Sequence, residues 1–330
     1  MARPISRREA QDLIRGITAT IRSYKNTLIK VFLFCAGAAG SSPAGLVPPT
    51  SSNVFALGDA DILASNIAGS LTAGGNGTVR GGNIGGVSTQ GDLNVTAANI
   101  GGGVSFGGSL TSAAGNIGSV RRVEACPLDF AATARSLEAA STFYGSLAAN
   151  GTVAADPFGN LTLTGTDPGL NVFHIPTPTF NASVNLVVPA GSTALINLDD
   201  PSVFLNLVNL NGLPGQPGSY EPTHVLFNFP NTTDLVLYSD NIWGTILAPL
   251  ADVTTRGFAE HGTLIAGRLS ATASDFADQP FGDGSPLFAP PTGAVPEPSG
   301  ATLLIEGALG LAGLHRAGRR GRGRDRIGRS

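Results

Sequence analysis

Lysine is nearly missing from this chain: both copies, Lys25 and Lys30, fall within the first 30 of 330 residues. A phosphate-binding loop, which needs its lysine, therefore has no residue to use beyond that point. Cysteine is scarce too. Cys35 and Cys126 are the only thiols, which excludes a disulfide framework and a cysteine-based metal site. Cys126 stands in Ala125-Cys126-Pro127 with no histidine close in sequence, so it reads as a small apolar residue rather than an activated nucleophile. Aromatics make up 6% and charged residues 13%. The low charge comes with 42% hydrophobic residues, and that combination argues against simple disorder.

What is plentiful is glycine, at 45 residues, with 22 prolines. Set among Thr, Ser, Asn, Val and Leu, they point to an all-β chain with many tight turns. Charge is segregated. Residues 41–294 hold 18 Asp and Glu against six Arg, while 14 of the 20 basic residues lie in the first 30 and last 15 positions. An acidic body with basic ends is not a nucleic-acid binder, which needs a basic face on its folded domain.

The basic ends read as membrane-side signals. At the front, Lys25–Lys30 precedes the apolar Val31–Phe34 and the small Ala36-Gly37-Ala38, the order of a secretory signal peptide with its cleavage site. Its nine apolar residues are too few for a bilayer core, which takes about 20. At the back, Val295-Pro296-Glu297-Pro298 is followed by the apolar run 301–314 and then Arg316, Arg319, Arg320 and four more arginines. Prolines close the folded domain, the apolar segment enters the bilayer and the arginines stay cytoplasmic. This order resembles the PEP-CTERM sorting signal of Gram-negative bacteria. The resemblance implies handling by secretion machinery, cleavage by an exosortase-type membrane protease, and membrane contact through the tail before processing.

Internal repetition sets the expected fold. Asn-Ile recurs at Asn66, Asn83, Asn99 and Asn116, and three copies are followed by glycine. Gly-Ser/Asp-Leu recurs at Gly69, Gly91 and Gly108. A period near 17–20 residues, with short Val/Ile/Leu/Thr segments between Gly/Asn corners, predicts one coil of a β-helix per repeat, with asparagines bonding from coil to coil. Residues 128–148 break the pattern. Phe130, Ala134, Leu137, Ala140, Tyr144 and Leu147 recur at three- and four-residue spacing, which predicts one amphipathic helix flanking the solenoid. Strand-like runs then resume at 160–164, 170–175, 183–188, 194–198, 225–229 and 234–238. Gly244–Pro249 and Gly262–Gly267 lie 18 residues apart, again one coil. The expected fold is an all-β, right-handed parallel β-helix, discontinuous in sequence, over 46–290, between an N-terminal segment 1–45 and a tail 291–330.

Asn53–Asp59, the Gly/Asn coils, Val225–Pro230, Ile242–Pro249 and His261–Ala266 resemble the choice-of-anchor A domain. That resemblance implies an adhesive role at the cell surface, outer membrane or extracellular matrix, with an extracellular polysaccharide or other surface ligand as partner. It supplies no catalytic residue.

Candidate chemistry is thin. His174, His224, His261 and His315 form no metal-binding spacing, and no cofactor motif is present. Paired carboxylates exist at Asp59/Asp61 and Asp199/Asp200, which makes a polysaccharide-acting enzyme or a calcium site the chemical alternative; solubility of an acidic surface is the plainer role. Trp243, the sole tryptophan, reads by default as core. An ice-binding solenoid is the rival binding class, and it needs hydroxyls in register. Thr72, Thr78, Thr89, Thr96 and Thr111 do not share one coil position.

Overall fold

A computed structural model describes residues 52–123, 128–175, 179–180, 183–206, 209–211, 222–279 and 281. The signal segment, Cys35, Cys126, His315 and the sorting residues Val295 to Arg320 lie outside the described residues.

The chain is a parallel β-helix of three faces, and it is wound from the middle outward. Val54–Ala56 enters between two strands that come from opposite ends of the sequence: its partners are residues 71–73 on one side and 264–266 on the other. From there the chain winds toward one end through Asn66–Ala73, Asn83–Thr89 and Val104–Phe106 to Val120–Arg122. It returns through a helix, α1 (Phe130–Gly145). It then restarts at the far end and winds back through Leu170–His174, Thr193–Asn197, Val225–Asn228 and Thr245–Arg256 to Leu264–Thr272. The expected discontinuity is present, and the two Gly-Thr segments sit one coil apart, with Ile246 opposite Leu264.

These strands form face A. Face B carries Ala60–Leu63, Gly77–Arg80, Leu93–Thr96 and Leu110–Ala113 on one side of the junction. On the other side stand residues 269–272, residues 252–256, Asp234–Tyr238 and Ser202–Asn206. Face C stacks the short Asn-Ile strands on Asp275–Asp278, Ala259–Gly262 and Asn241–Trp243. Alternation along each strand sends Val54, Ile62, Ile67, Leu71, Val79 and Ile84 into one shared core, each at most 3% exposed. Burying such a side chain stabilises the fold by roughly 1.5–3 kcal/mol.

The corner between faces B and C repeats in seven coils. Ser239, Gly257, Ala273, Ala64, Gly81, Ala97 and Ala114 all hold positive φ, from 49° to 76°. Five are not glycine, and each non-glycine costs about 1–2 kcal/mol of local strain. The stack tolerates this because the corner N–H donates to the next coil, as Ala64 does to Arg80 O at 2.8 Å and Ala97 to Ala113 O at 2.9 Å. At Gly82 the demand is sharper. Its φ is +88°, and a Cβ there would collide with the Ser65 carbonyl oxygen.

Helix α1 covers part of face A. Asp129 caps it, accepting from Ala132 N at 2.9 Å. Its buried residues Phe130, Leu137, Ala140, Ser141 and Tyr144 keep the expected spacing, with Ser141 added. They lie on outward-pointing Val172, Leu195, Leu226, Leu247, Ile265 and Phe55, and Phe130 stacks on Phe55 with ring centroids 5.6 Å apart. Burial pushes the Tyr144 phenol up to about 12. A polar seam fixes the helix's end. Asn228, fully buried, donates to Ser141 O at 2.9 Å and to Asn197 Oδ1 at 2.8 Å, and accepts from Ser141 Oγ at 2.6 Å. Asn197 donates to Tyr144 O at 3.1 Å. Both amides of this seam are thereby used.

The two ends differ. At the far end Thr152–Ala155 pairs antiparallel with Leu161–Thr164. Asn150 closes the edge of Leu170–His174, accepting from Val172 N at 2.6 Å and donating to Leu170 O at 2.8 Å. Among the described residues nothing pairs with the outer edge of Val120–Arg122, whose Val120 is 58% exposed.

Candidate adhesive faces

Face B presents three outward rows across eight coils. The row nearest face A runs Ser202, Asp234, Asp252, Arg268 and continues through the corner residues Asp59, Asn76, Asp92 and Ser109. In this corner each side chain serves the next coil. Asp59 Oδ1 accepts from Asn76 N at 2.7 Å, Asn76 Oδ1 from Asp92 N at 2.9 Å, and Asp92 Oδ1 from Ser109 N at 2.7 Å. The bonds from Ser109 hold the Asp92 carboxyl below the usual range.

The central row runs Phe204, Val236, Thr254, Ser270, Asp61, Thr78, Asn94, Thr111. The third runs Asn206, Tyr238, Arg256, Thr272, Leu63, Arg80, Thr96, Ala113. The face thus changes character along the axis. It is apolar and aromatic near the capped end, where Phe204 is 38% and Tyr238 40% exposed. Charges of both signs fill its middle, and small hydroxyls and amides fill its open end. A shallow groove of about 360 Å3 lies in the charged middle, between Asp59, Asp61, Asp252 and Arg268.

The sequence-derived candidates resolve into structural duties. Asp59 is spent on the corner ladder. Asp61 forms a two-oxygen ion pair with Arg80 at 2.8 and 2.9 Å, both side chains half exposed. Asp199 accepts from His174 Nδ1 at 3.0 Å, while His174 Nε2 lies 2.9 Å from Leu147 O. Burial works against the His174 charge, but the Leu147 carbonyl and Asp199 together outweigh it and raise its pKa. Among the described residues no group of three His, Cys, Asp or Glu could hold a metal ion. The threonines occupy four positions: Thr78 and Thr111 share the central row, Thr96 the third, Thr72 points outward on face A, and Thr89 is inward and buried.

On face C the predicted amide ladder is present. Asn83 donates to Asn66 Oδ1 at 3.1 Å, Asn99 to Asn83 Oδ1 at 3.2 Å, Asn116 to Asn99 Oδ1 at 3.1 Å, and Asn66 to Asp275 Oδ1 at 2.7 Å. Trp243 meets its default reading in part, packing against the main core cluster. It is half-buried on the outer side and stacks on His261, centroids 4.0 Å apart and planes 20° from parallel. Its strand alternates, Ile242 taking the inward place.

Sequence reasoning missed Glu260. Register places it between Ile242 and Phe276, pointing into the core at 1% exposure. Neither carboxyl oxygen has a hydrogen-bond partner, and burial, with Asp278 nearby, pushes its pKa well up. Only the period of the face C strands could have flagged it, since it falls where other coils have apolar residues such as Ile67, Ile242 and Phe276.

The chain belongs to the family described as "Putative Ice-binding-like adhesive domain", whose profile matches residues 51–276. No curated protein matches it in sequence. Similar solved structures include an ice-binding protein from the Antarctic ascomycete Antarctomyces psychrotrophicus, 14% identical, with 72% of this chain and 99% of that one covered and a TM-score of 0.38. An ice-binding protein from an Antarctic biological consortium is 14% identical over 73% and 93% of the two chains, TM-score 0.31. Another, from an Antarctic Flavobacteriaceae bacterium, is 10% identical over 71% and 81%, TM-score 0.21.

Proposed function

We propose that this chain is an exported bacterial surface or matrix protein whose solenoid adheres through face B, with residues 295–330 as a PEP-CTERM-type sorting tail. The observation that carries the reading is the eight-coil outward array, open to solvent and mixed in chemistry. Many weak contacts along a rigid face give avidity without a deep pocket. The family description supports adhesion, and the basic ends support export. Ice binding is the second reading, favoured by the hydroxyls Thr254, Ser270, Thr78 and Thr111 in one row. The Asp61–Arg80 pair and the aromatic end interrupt the regularity that an ice plane rewards.

Fractionation of a Gram-negative host tests the proposal. Full-length protein should reach the envelope or medium shortened at both ends, and deletion of 295–330 should abolish surface display. Retention in the cytoplasm with both ends intact would overturn it.

A further inference from the structure

Among the described residues the two most exposed large apolar side chains stand at opposite ends of the solenoid: Phe158 at 88% and Val120 at 58%. Val120 belongs to the last coil of the open end. Register sets Leu110 on Leu93, Ile117 on Ile100 and Val120 on Val104, so all three take core-facing positions. Their partners are buried. Beyond this coil no further strand pairs among the described residues, and the core ends in an apolar mouth rimmed by free strand edges, which template association. Arg121 and Arg122 stand on the same rim, both exposed and neither in an ion pair among the described residues. They are the only charged side chains in residues 93–123.

Phe158 tips the hairpin that closes the other end. Asp156 braces that tip: its carboxylate accepts from Phe158 N at 2.8 Å, from Asn160 N at 2.9 Å and from Asn160 Nδ2 at 2.8 Å. The ring is therefore carried out into solvent on a fixed turn. The hairpin's outer strand, Thr152–Ala155, has a second edge that pairs with nothing among the described residues. Charge here has the other sign. Residues 136–255 carry nine Asp and Glu and no Lys or Arg, with Asp156 and Asp167 exposed on the outermost coil.

We infer that the two ends are complementary halves of one contact, through which copies of this chain stack head to tail. Phe158 of one copy seats on the mouth formed by Leu110, Ile117 and Val120 of the next, and Arg121 and Arg122 face Asp156 and Asp167. Like ends make poor partners: open end on open end opposes arginines, and capped end on capped end opposes carboxylates. Because the two patches lie at opposite ends of the solenoid, the contact does not close on itself and builds an open fibre rather than a dimer. The contact lies apart from the rows of face B and adds self-assembly to the adhesive reading.

Sedimentation velocity of the full-length chain should show a ladder of oligomers that lengthens with concentration. Arg121→Glu with Arg122→Glu breaks the open end, and Phe158→Arg breaks the capped end. Each variant keeps its other end and the wild-type far-UV CD spectrum, and should sediment as a monomer, its self-association weakened roughly tenfold or more. Phe158→Ala, which removes only the ring, should weaken association in the same direction. Mixed in equal amounts, the two charge variants should pair as a dimer and grow no further, since each supplies the end the other lacks. A wild-type chain that stays monomeric, a variant that still associates alone, or a mixture that fails to pair overturns the inference. Cell-surface adhesion retained by a monomeric variant would leave the face B reading standing, so the two fail separately.

Discussion

The two arms of the solenoid solve face A differently. In the arm built by residues 66–122, outward Thr72, Ser88 and Ser105 are polar and partly exposed, and Ser105 donates to Ser88 Oγ at 3.0 Å. In the arm built by 170–272 the same face carries Val172, Leu195, Leu226 and Leu247 beneath α1. Coil length follows. The first arm turns every 16–17 residues, as Asn66, Asn83, Asn99 and Asn116 show, and so needs glycine or a strained residue at each tight corner. In the second, coil length varies, from 31 residues between register partners Leu195 and Leu226 to 18 between Ile246 and Leu264; the short last coils keep positive-φ corners at Ser239, Gly257 and Ala273, while the long ones erase the repeat from the sequence. A short coil is specified locally; a long coil is specified by what covers it.

The largest effect expected from breaking this contrast is under the helix. Leu226→Ala should cost about 2–5 kcal/mol in denaturant unfolding, because it leaves a cavity between α1 and the sheet. Next come the corners: Gly82→Ala should cost about 1–3 kcal/mol, since positive φ and the Ser65 carbonyl both oppose a Cβ. Gly101→Ala, whose Cβ would meet nothing within 4 Å, should leave the melting temperature nearly unchanged.

Glu260 sharpens the comparison through pH. Its folded pKa is raised, so the folded chain holds this proton more tightly than the unfolded one. Its contribution is therefore fully present below the unfolded value, about 4.3, and is lost as pH rises toward the folded pKa. His174, also raised, adds a smaller loss above its unfolded value of about 6.5. The wild-type melting temperature should fall from pH 5 to pH 8, and Glu260→Gln should flatten most of that slope. The smallest effect is at Ser88→Ala, on the first arm, expected within about 0.5 kcal/mol.

The first arm was readable because its corners are short: Asn-Ile and Gly-Ser/Asp-Leu mark equivalent coil positions, and the amide ladder follows from them. The helix was readable from its three- and four-residue spacing. Entry of the chain at the middle was not, since nothing local to Val54–Ala56 says that residues 264–266 will lie beside it. Ser202–Asn206 escaped notice because its outward Phe204 hides the alternation. Asn197 and Asn228 fall inside the strand-like runs 194–198 and 225–229, but nothing local says that their partners are helix carbonyls far away in sequence. At the candidate faces, the strand-by-strand register that puts Asp61 beside Arg80 and Trp243 beside His261 is a tertiary fact that residue identities alone do not carry.

The most direct test of the adhesive claim is binding of purified full-length protein to immobilised extracellular polysaccharide, with thermal hysteresis measured on the same preparation. The account predicts saturable binding, weakened when Phe204 and Tyr238 or Thr78 and Thr111 on face B are changed to alanine, and little hysteresis. Strong hysteresis with no polymer binding would contradict it and make face B an ice-binding plane.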